Sequence, residues 1–75
     1  MSKSNSRPKP PPPRFHVGDR VRPLHIFEGI IGEVVEDRGP LGVGGRRIYG
    51  VRMKIDPWNE ITTEFPEESL EPAPA

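Results

Sequence analysis

The chain has no cysteine, which removes disulfides, thiolate metal sites and cysteine nucleophiles from consideration. It has only two histidines, His16 and His25, and without a third nitrogen ligand or a thiolate beside them no zinc site is expected. No stretch approaches the roughly 18 apolar residues needed to span a membrane. The polar N-terminus carries no signal-peptide core, so a reducing cytoplasm is the expected location. Net charge is also missing, because 11 Lys and Arg offset 11 Asp and Glu. A neutral chain has little to draw in a polyanion, and nucleic acid is not the expected partner. Long helices are excluded in turn, since 11 prolines and 8 glycines break up 75 residues. Catalytic groupings are lacking as well. Nothing around Ser69 resembles a strained nucleophile turn, and no pair among Glu28, Glu33, Glu36 and Asp37 stands out as an acid and a base. Neither an enzyme nor a cofactor is expected.

Charge is instead distributed unevenly. Residues 1–14 hold Lys3, Arg7, Lys9 and Arg14 without an acid, whereas residues 64–75 hold Glu64, Glu67, Glu68 and Glu71 without a base. Composition draws the boundaries in the same places. Residues 1–14 form a basic, Pro-rich arm with nothing apolar after Met1, expected to be disordered with polyproline II character. Its stretch Arg7-Pro8-Lys9-Pro10-Pro11-Pro12-Pro13 fits the basic-x-x-Pro-x-x-Pro ligands of eukaryotic SH3 domains, although a linker is the simpler reading. Residues 15–72 carry nearly all the apolar side chains and make the folded domain, and residues 73–75 are a flexible tail.

Within the domain the pattern is that of short strands and turns. Phe15-His16-Val17 leads through the turn Gly18-Asp19 into Arg20-Val21-Arg22, with Pro23 at an edge or an end. Ile30–Glu36 is rich in β-branched residues, and Gly32 is expected to mark a bulge or bend. After the glycine-rich connector Arg38–Gly45, Arg46–Ile55 alternates, with Tyr49, Val51, Met53 and Ile55 on the core face and Arg52 and Lys54 outside. Asp56-Pro57 turns the chain into Ile61–Phe65. Pro66-Glu67-Glu68-Ser69 suits a 3-10 turn, and Leu70-Glu71 a last short strand. The expected fold is all-β, a small five-stranded SH3-like barrel with a 3-10 turn before its last strand and disordered tails.

The segments Phe15-His16-Val17-Gly18-Asp19-Arg20-Val21-Arg22 and Gly29-Ile30-Ile31-Gly32-Glu33-Val34-Val35 resemble the opening of the SH3-like barrel in the β subunit of nitrile hydratase. The likeness continues through Tyr49-Gly50-Val51-Arg52, Trp58-Asn59-Glu60 and Leu70-Glu71-Pro72-Ala73. A similar Gly-Asp-x-Val beginning occurs in ferredoxin–thioredoxin reductase and photosystem I accessory subunits and in KOW modules. In nitrile hydratase the metal is held by cysteines of the partner α subunit, and this chain has none. The resemblance therefore implies a small accessory or interaction barrel without a catalytic residue.

The glycine-rich connector is not a phosphate loop, because no Lys-Ser/Thr pair or helix follows it. At its mouth Asp37 and Arg38 face Arg46 and Arg47, where an Asp–Arg clamp is favoured over a binding patch. Trp58 either folds back over one end of the core or stays exposed to hold a partner, and Phe27 is expected to be exposed. The chain is thus read as a monomeric, non-catalytic module that binds another protein, through Phe27, Arg38, Arg46, Arg47, Tyr49 and Trp58. Two alternatives stand beside it. One is a KOW-like nucleic-acid binder using Arg20, Arg22, Arg46, Arg47 and Arg52; the other is an accessory component of a nitrile hydratase-like enzyme.

Overall fold

Strands form where apolar side chains recur at every second position, and they stop where Pro, Gly or Asp turns the chain. In the computed structural model, which describes residues 12–74, these are β1 (Arg20–Pro23), β2 (Gly32–Asp37), β3 (Ile48–Asp56), β4 (Asn59–Pro66) and β5 (Leu70–Pro72). All neighbours are antiparallel, in the order β4-β3-β2-β1-β5. The only helical pieces among the described residues are 3-10 turns at Val43–Gly45 and Glu67–Ser69, and none is long and apolar enough to cross a membrane. The chain is all-β, with a 3-10 turn ahead of its last strand. The arm motif Arg7–Pro13 lies, up to residue 11, outside the described residues, as does Ala75.

Connectivity bends the sheet. β4 and β5 occupy opposite edges, yet only Glu67–Ser69 lies between them in the chain. Four inter-strand steps in a flat sheet would separate those edges by about 19 Å, whereas a three-residue 3-10 turn rises only about 6 Å. The sheet therefore curls strongly on itself. No residue pairing joins β4 to β5 among the described residues, so its hydrogen-bonded ladder stays open and a closed barrel is not formed by strand pairing.

The concave face buries Phe15, Val21, Val34, Tyr49, Val51, Met53, Phe65 and Leu70. Phe15 meets Tyr49 edge-on, with ring centroids 5.5 Å apart and planes at 77°. Gly32 lies in the ladder directly opposite Met53, and a Cβ there would stand 2.6 Å from Val51 Cγ1 and 2.8 Å from Met53 Cγ. Close approach is the reason for glycine there. The bulge expected at Gly32 falls instead between Val34 and Glu36. A second irregularity, between Lys54 and Asp56, corrects the reading of β3: Ile55 does not continue the core face but is 38% exposed. The core ends at Met53, two residues earlier.

Phe15-His16-Val17 is not a strand. Its chain turns through Gly18, and the Asp19 carboxylate accepts the His16 N–H at 2.9 Å. Arg14 lies with its guanidinium 5.1 Å from the Phe15 ring centre, and its backbone N–H donates to Glu67 at 3.0 Å. At the other end the Ala73 N–H donates to the Arg20 carbonyl at 3.0 Å.

The opposite faces of β3 predict opposite outcomes. Val51 is fully buried and Arg52 exposed. Val51→Asp is expected to abolish cooperative thermal unfolding by burying an unpaired charge. Arg52→Ala, which removes only exposed ion pairs, should cost under about 1 kcal/mol in a urea titration.

Candidate functional site

The β3–β4 turn is built around one carboxylate. Asp56 Oδ1 accepts the N–H groups of Trp58 and Asn59, each at 2.9 Å, and the Asn59 side-chain amide donates to both carboxylate oxygens at 3.0 and 2.8 Å. The Asn59 amide first, and then the Trp58 N–H, hold the Asp56 carboxyl below its ordinary range. Pro57 fixes φ at the first turn position. With its polar groups satisfied within the turn, the tip holds Trp58 out to solvent, 88% exposed. Trp58 does not fold back over the core.

The β1–β2 loop reaches the same end of the sheet, since β2 starts at Gly32 opposite Met53 near the end of β3. It brings exposed Ile26 and Ile31 to the end that also carries Ile55. Phe27, expected in solvent, is instead half-buried against the core beside Ile30 and Ile61. This placement requires positive φ at two residues that disfavour it, His25 at 68° and Phe27 at 54°. Burial of the Phe27 ring offsets that strain, and the loop is tied down by Leu24 N–H to the Ser69 carbonyl at 2.9 Å and Ile30 N–H to the Phe27 carbonyl at 3.1 Å.

The β2–β3 connection lies at the opposite end. Here Arg47 Nη1 donates to both oxygens of Asp37 at 2.9 Å, and the Gly39 N–H donates to Oδ1 at 2.9 Å. Desolvation raises the Asp37 pKa, but the Gly39 N–H and the Arg47 hydrogen bond and charge outweigh it, and the carboxyl lies below its ordinary value. The Asp–Arg clamp is therefore present. Arg38 pairs with Glu64 at 2.9 Å, and Arg46 with Glu68 at 2.6 Å. Beyond them Leu41 and Val43 are exposed.

The six candidate residues consequently occupy three places. Phe27 and Trp58 share one end. Arg38, Arg46 and Arg47 share the other, across the nine residues of β3, a span of about 27 Å if extended. Tyr49 belongs to neither, because its side chain has no exposed surface. Its hydroxyl donates to Glu67 at 2.7 Å and accepts the Phe15 N–H at 3.3 Å. Burial first, and then the hydrogen bond to Glu67, push its pKa up. Ile26 and Ile31 were not singled out from sequence, and isolated isoleucines beside a loop give no signal of their own. Among the described residues no group of three or more His, Asp or Glu side chains is placed to hold a metal ion. Comparison of the chain with protein-family models, curated proteins and solved structures finds no match in any of the three.

These shifts set the pH response. Asp37 and Asp56 are depressed from 3.8, so their contribution to stability is present above about pH 4 and lost as pH falls through the folded-state values. Tyr49 is raised from 10.0, so its contribution is present below about pH 10 and lost as pH rises beyond it. Urea midpoints followed from about pH 3 to pH 11 should fall at both limits. Asp37→Asn should flatten the acid limb and Tyr49→Phe the alkaline one.

Proposed function

We propose that the protein is a non-catalytic interaction or accessory module and that it engages another protein through the end of the sheet carrying Trp58. One observation carries this reading: the single tryptophan of the chain is 88% exposed on a turn whose polar groups bond to one another. Such a side chain offers a large apolar surface with little left to immobilise on binding, which is what an interface anchor requires. Ile26, Ile31 and Ile55 extend it. Together these side chains expose a few hundred Å², well short of the roughly 800 Å² per partner of a stable interface. A monomer with a transient partner fits that size better than an obligate dimer. The strand order, with a 3-10 turn ahead of β5, supports an SH3-like reading of the fold and, through the nitrile hydratase resemblance, an accessory role.

A nucleic-acid reading is less well supported. Of its five arginines, Arg22 pairs with Glu71, Arg46 with Glu68, Arg47 with Asp37 and Arg52 with Glu33. A phosphate would have to displace a carboxylate at each of these four, and only Arg20 stands without one among the described residues.

The test is affinity capture from source-cell extract with the wild type, Trp58→Ser and the Arg46→Ala/Arg47→Ala double variant, each first shown to melt cooperatively. A partner retained by the wild type and the double variant but lost with Trp58→Ser is expected. Loss only in the double variant would move the binding surface to the other end. Saturable RNA or duplex DNA binding at about 150 mM salt, abolished in that double variant, would replace this function with nucleic-acid binding.

A further inference from the structure

The described residues include eight Arg and Lys side chains. Five of them, Arg22, Arg38, Arg46, Arg47 and Arg52, lie within 4.0 Å of a carboxylate. The remaining three, Arg14, Arg20 and Lys54, pair with none among the described residues. These three converge on two open cavities that share Arg20.

The first cavity, about 420 Å³, lies between the N-terminal segment and the end of β5, with Arg14, Asp19, Arg20 and Pro72 in its walls. The second, about 320 Å³, is lined by Arg20, Gly32, Glu33, Arg52, Lys54 and Glu60. Arg20 is the cross-strand partner of Glu33, Glu33 that of Arg52, and Lys54 that of Glu60. Direct cross-strand partners project to the same side, so this cavity runs over the convex face from β4 to β1. Within it Glu33 and Glu60 both lean on Arg52, at 3.0 and 3.9 Å. Arg20 and Lys54 make no ion pair within 4.0 Å, the glutamates opposite them being turned to Arg52. In the first cavity the Asp19 carboxylate is engaged by the His16 N–H, and Arg14 is set in place over the Phe15 ring.

We propose that an extended acidic segment of a partner protein lies across this face and sets carboxylates against Lys54, Arg20 and Arg14 in turn. The proposal rests on the reading of the chain as a protein-interaction module and supplies the chemistry of its partner. A polypeptide suits the face better than a nucleic acid does. Glu33 and Asp19 stand between the free cations, with Glu60 at the edge beside Lys54. These acids would repel a phosphate chain charged at every step, whereas an extended peptide returns a side chain to one side only every ~6.8 Å and can set a neutral residue opposite each acid. Phe15 is buried and offers no face on which a base could stack. Ile31, in the wall of the second cavity and 44% exposed, gives an apolar side chain of the peptide a place beside Lys54.

The test is fluorescence anisotropy with a labelled peptide of about twelve alternating Glu and Ala residues at roughly 50 mM salt, with an oligothymidylate of similar length as competitor. Saturable binding that weakens with salt is expected. Arg20→Ser/Lys54→Ser should weaken it about tenfold, two exposed ion pairs being worth that much together. Arg46→Ser, which touches a cation already paired, should leave it unchanged. A Trp58-dependent partner found for a protein that ignores the acidic peptide would remove this proposal and keep the preceding one. No saturable binding, equal weakening by Arg46→Ser, no weakening in the Arg20→Ser/Lys54→Ser variant, or tighter binding of oligothymidylate would each overturn it. Cooperative melting of every variant separates loss of binding from loss of fold.

Discussion

The buried hydroxyl of Tyr49 ties together three parts of the chain that no ladder joins. It sits on β3, donates to Glu67 in the 3-10 turn and accepts the N–H of Phe15 in the N-terminal segment. The same Glu67 oxygen also accepts the Arg14 N–H. Because β4 and β5 share no paired residues, the curl imposed by the short Glu67–Ser69 connection is held by packing, by the backbone bonds Glu67 N–H to Arg47 C=O and Leu24 N–H to Ser69 C=O, and by this short polar network. A phenol buried without partners would cost about 1–3 kcal/mol, so the network is needed simply for Tyr49 to be where it is. Phe15 and Arg14 are fastened to the 3-10 turn through that network, whereas β5 is held beside β1 by its own ladder.

Surface charge is arranged for neutrality more than for strength. The pairs Arg22–Glu71, Arg38–Glu64, Arg46–Glu68 and Arg52–Glu33 are exposed, and such pairs are typically worth about 1 kcal/mol or less. Their effect is to silence cations. Arg47–Asp37 is more enclosed, at 19% and 29% exposure, and there the carboxylate also takes the Gly39 N–H, so that pair orders a loop as well. Against this background Arg14, Arg20 and Lys54 stand out as the cations without a carboxylate within 4.0 Å among the described residues.

Much of the architecture was legible because its causes are local. Alternation from Tyr49 to Met53 marked the core face of β3, Pro66 followed by acids marked the 3-10 turn, and an acid facing arginines across a glycine-rich loop marked the Asp37–Arg47 clamp. The errors came where a distant contact decides. Ile55 keeps the alternation but leaves the core because the β3–β4 register slips beside it. Gly32 reads as a bend, and only the packing of Val51 and Met53 shows that it is glycine for lack of space. Positive φ at Phe27 runs against its residue type, so nothing local foretells its turn inward. Tyr49 is a different case. Its place in the alternation already made it a core residue, and assigning it to a binding face conflicted with that reading. Gathering the arginines and the loop aromatics into one site overlooked the length of β3, which holds them at opposite ends.

The position of Trp58 also governs how the molecule is seen by light. An indole that is almost wholly hydrated in the folded chain has nearly the same surroundings after unfolding, so its emission barely reports the loss of the core. Burial of the indole against a partner would shift that emission to shorter wavelength. The only tryptophan of this protein is thus a poor gauge of its folding and a built-in optical probe of contact at that end of the sheet.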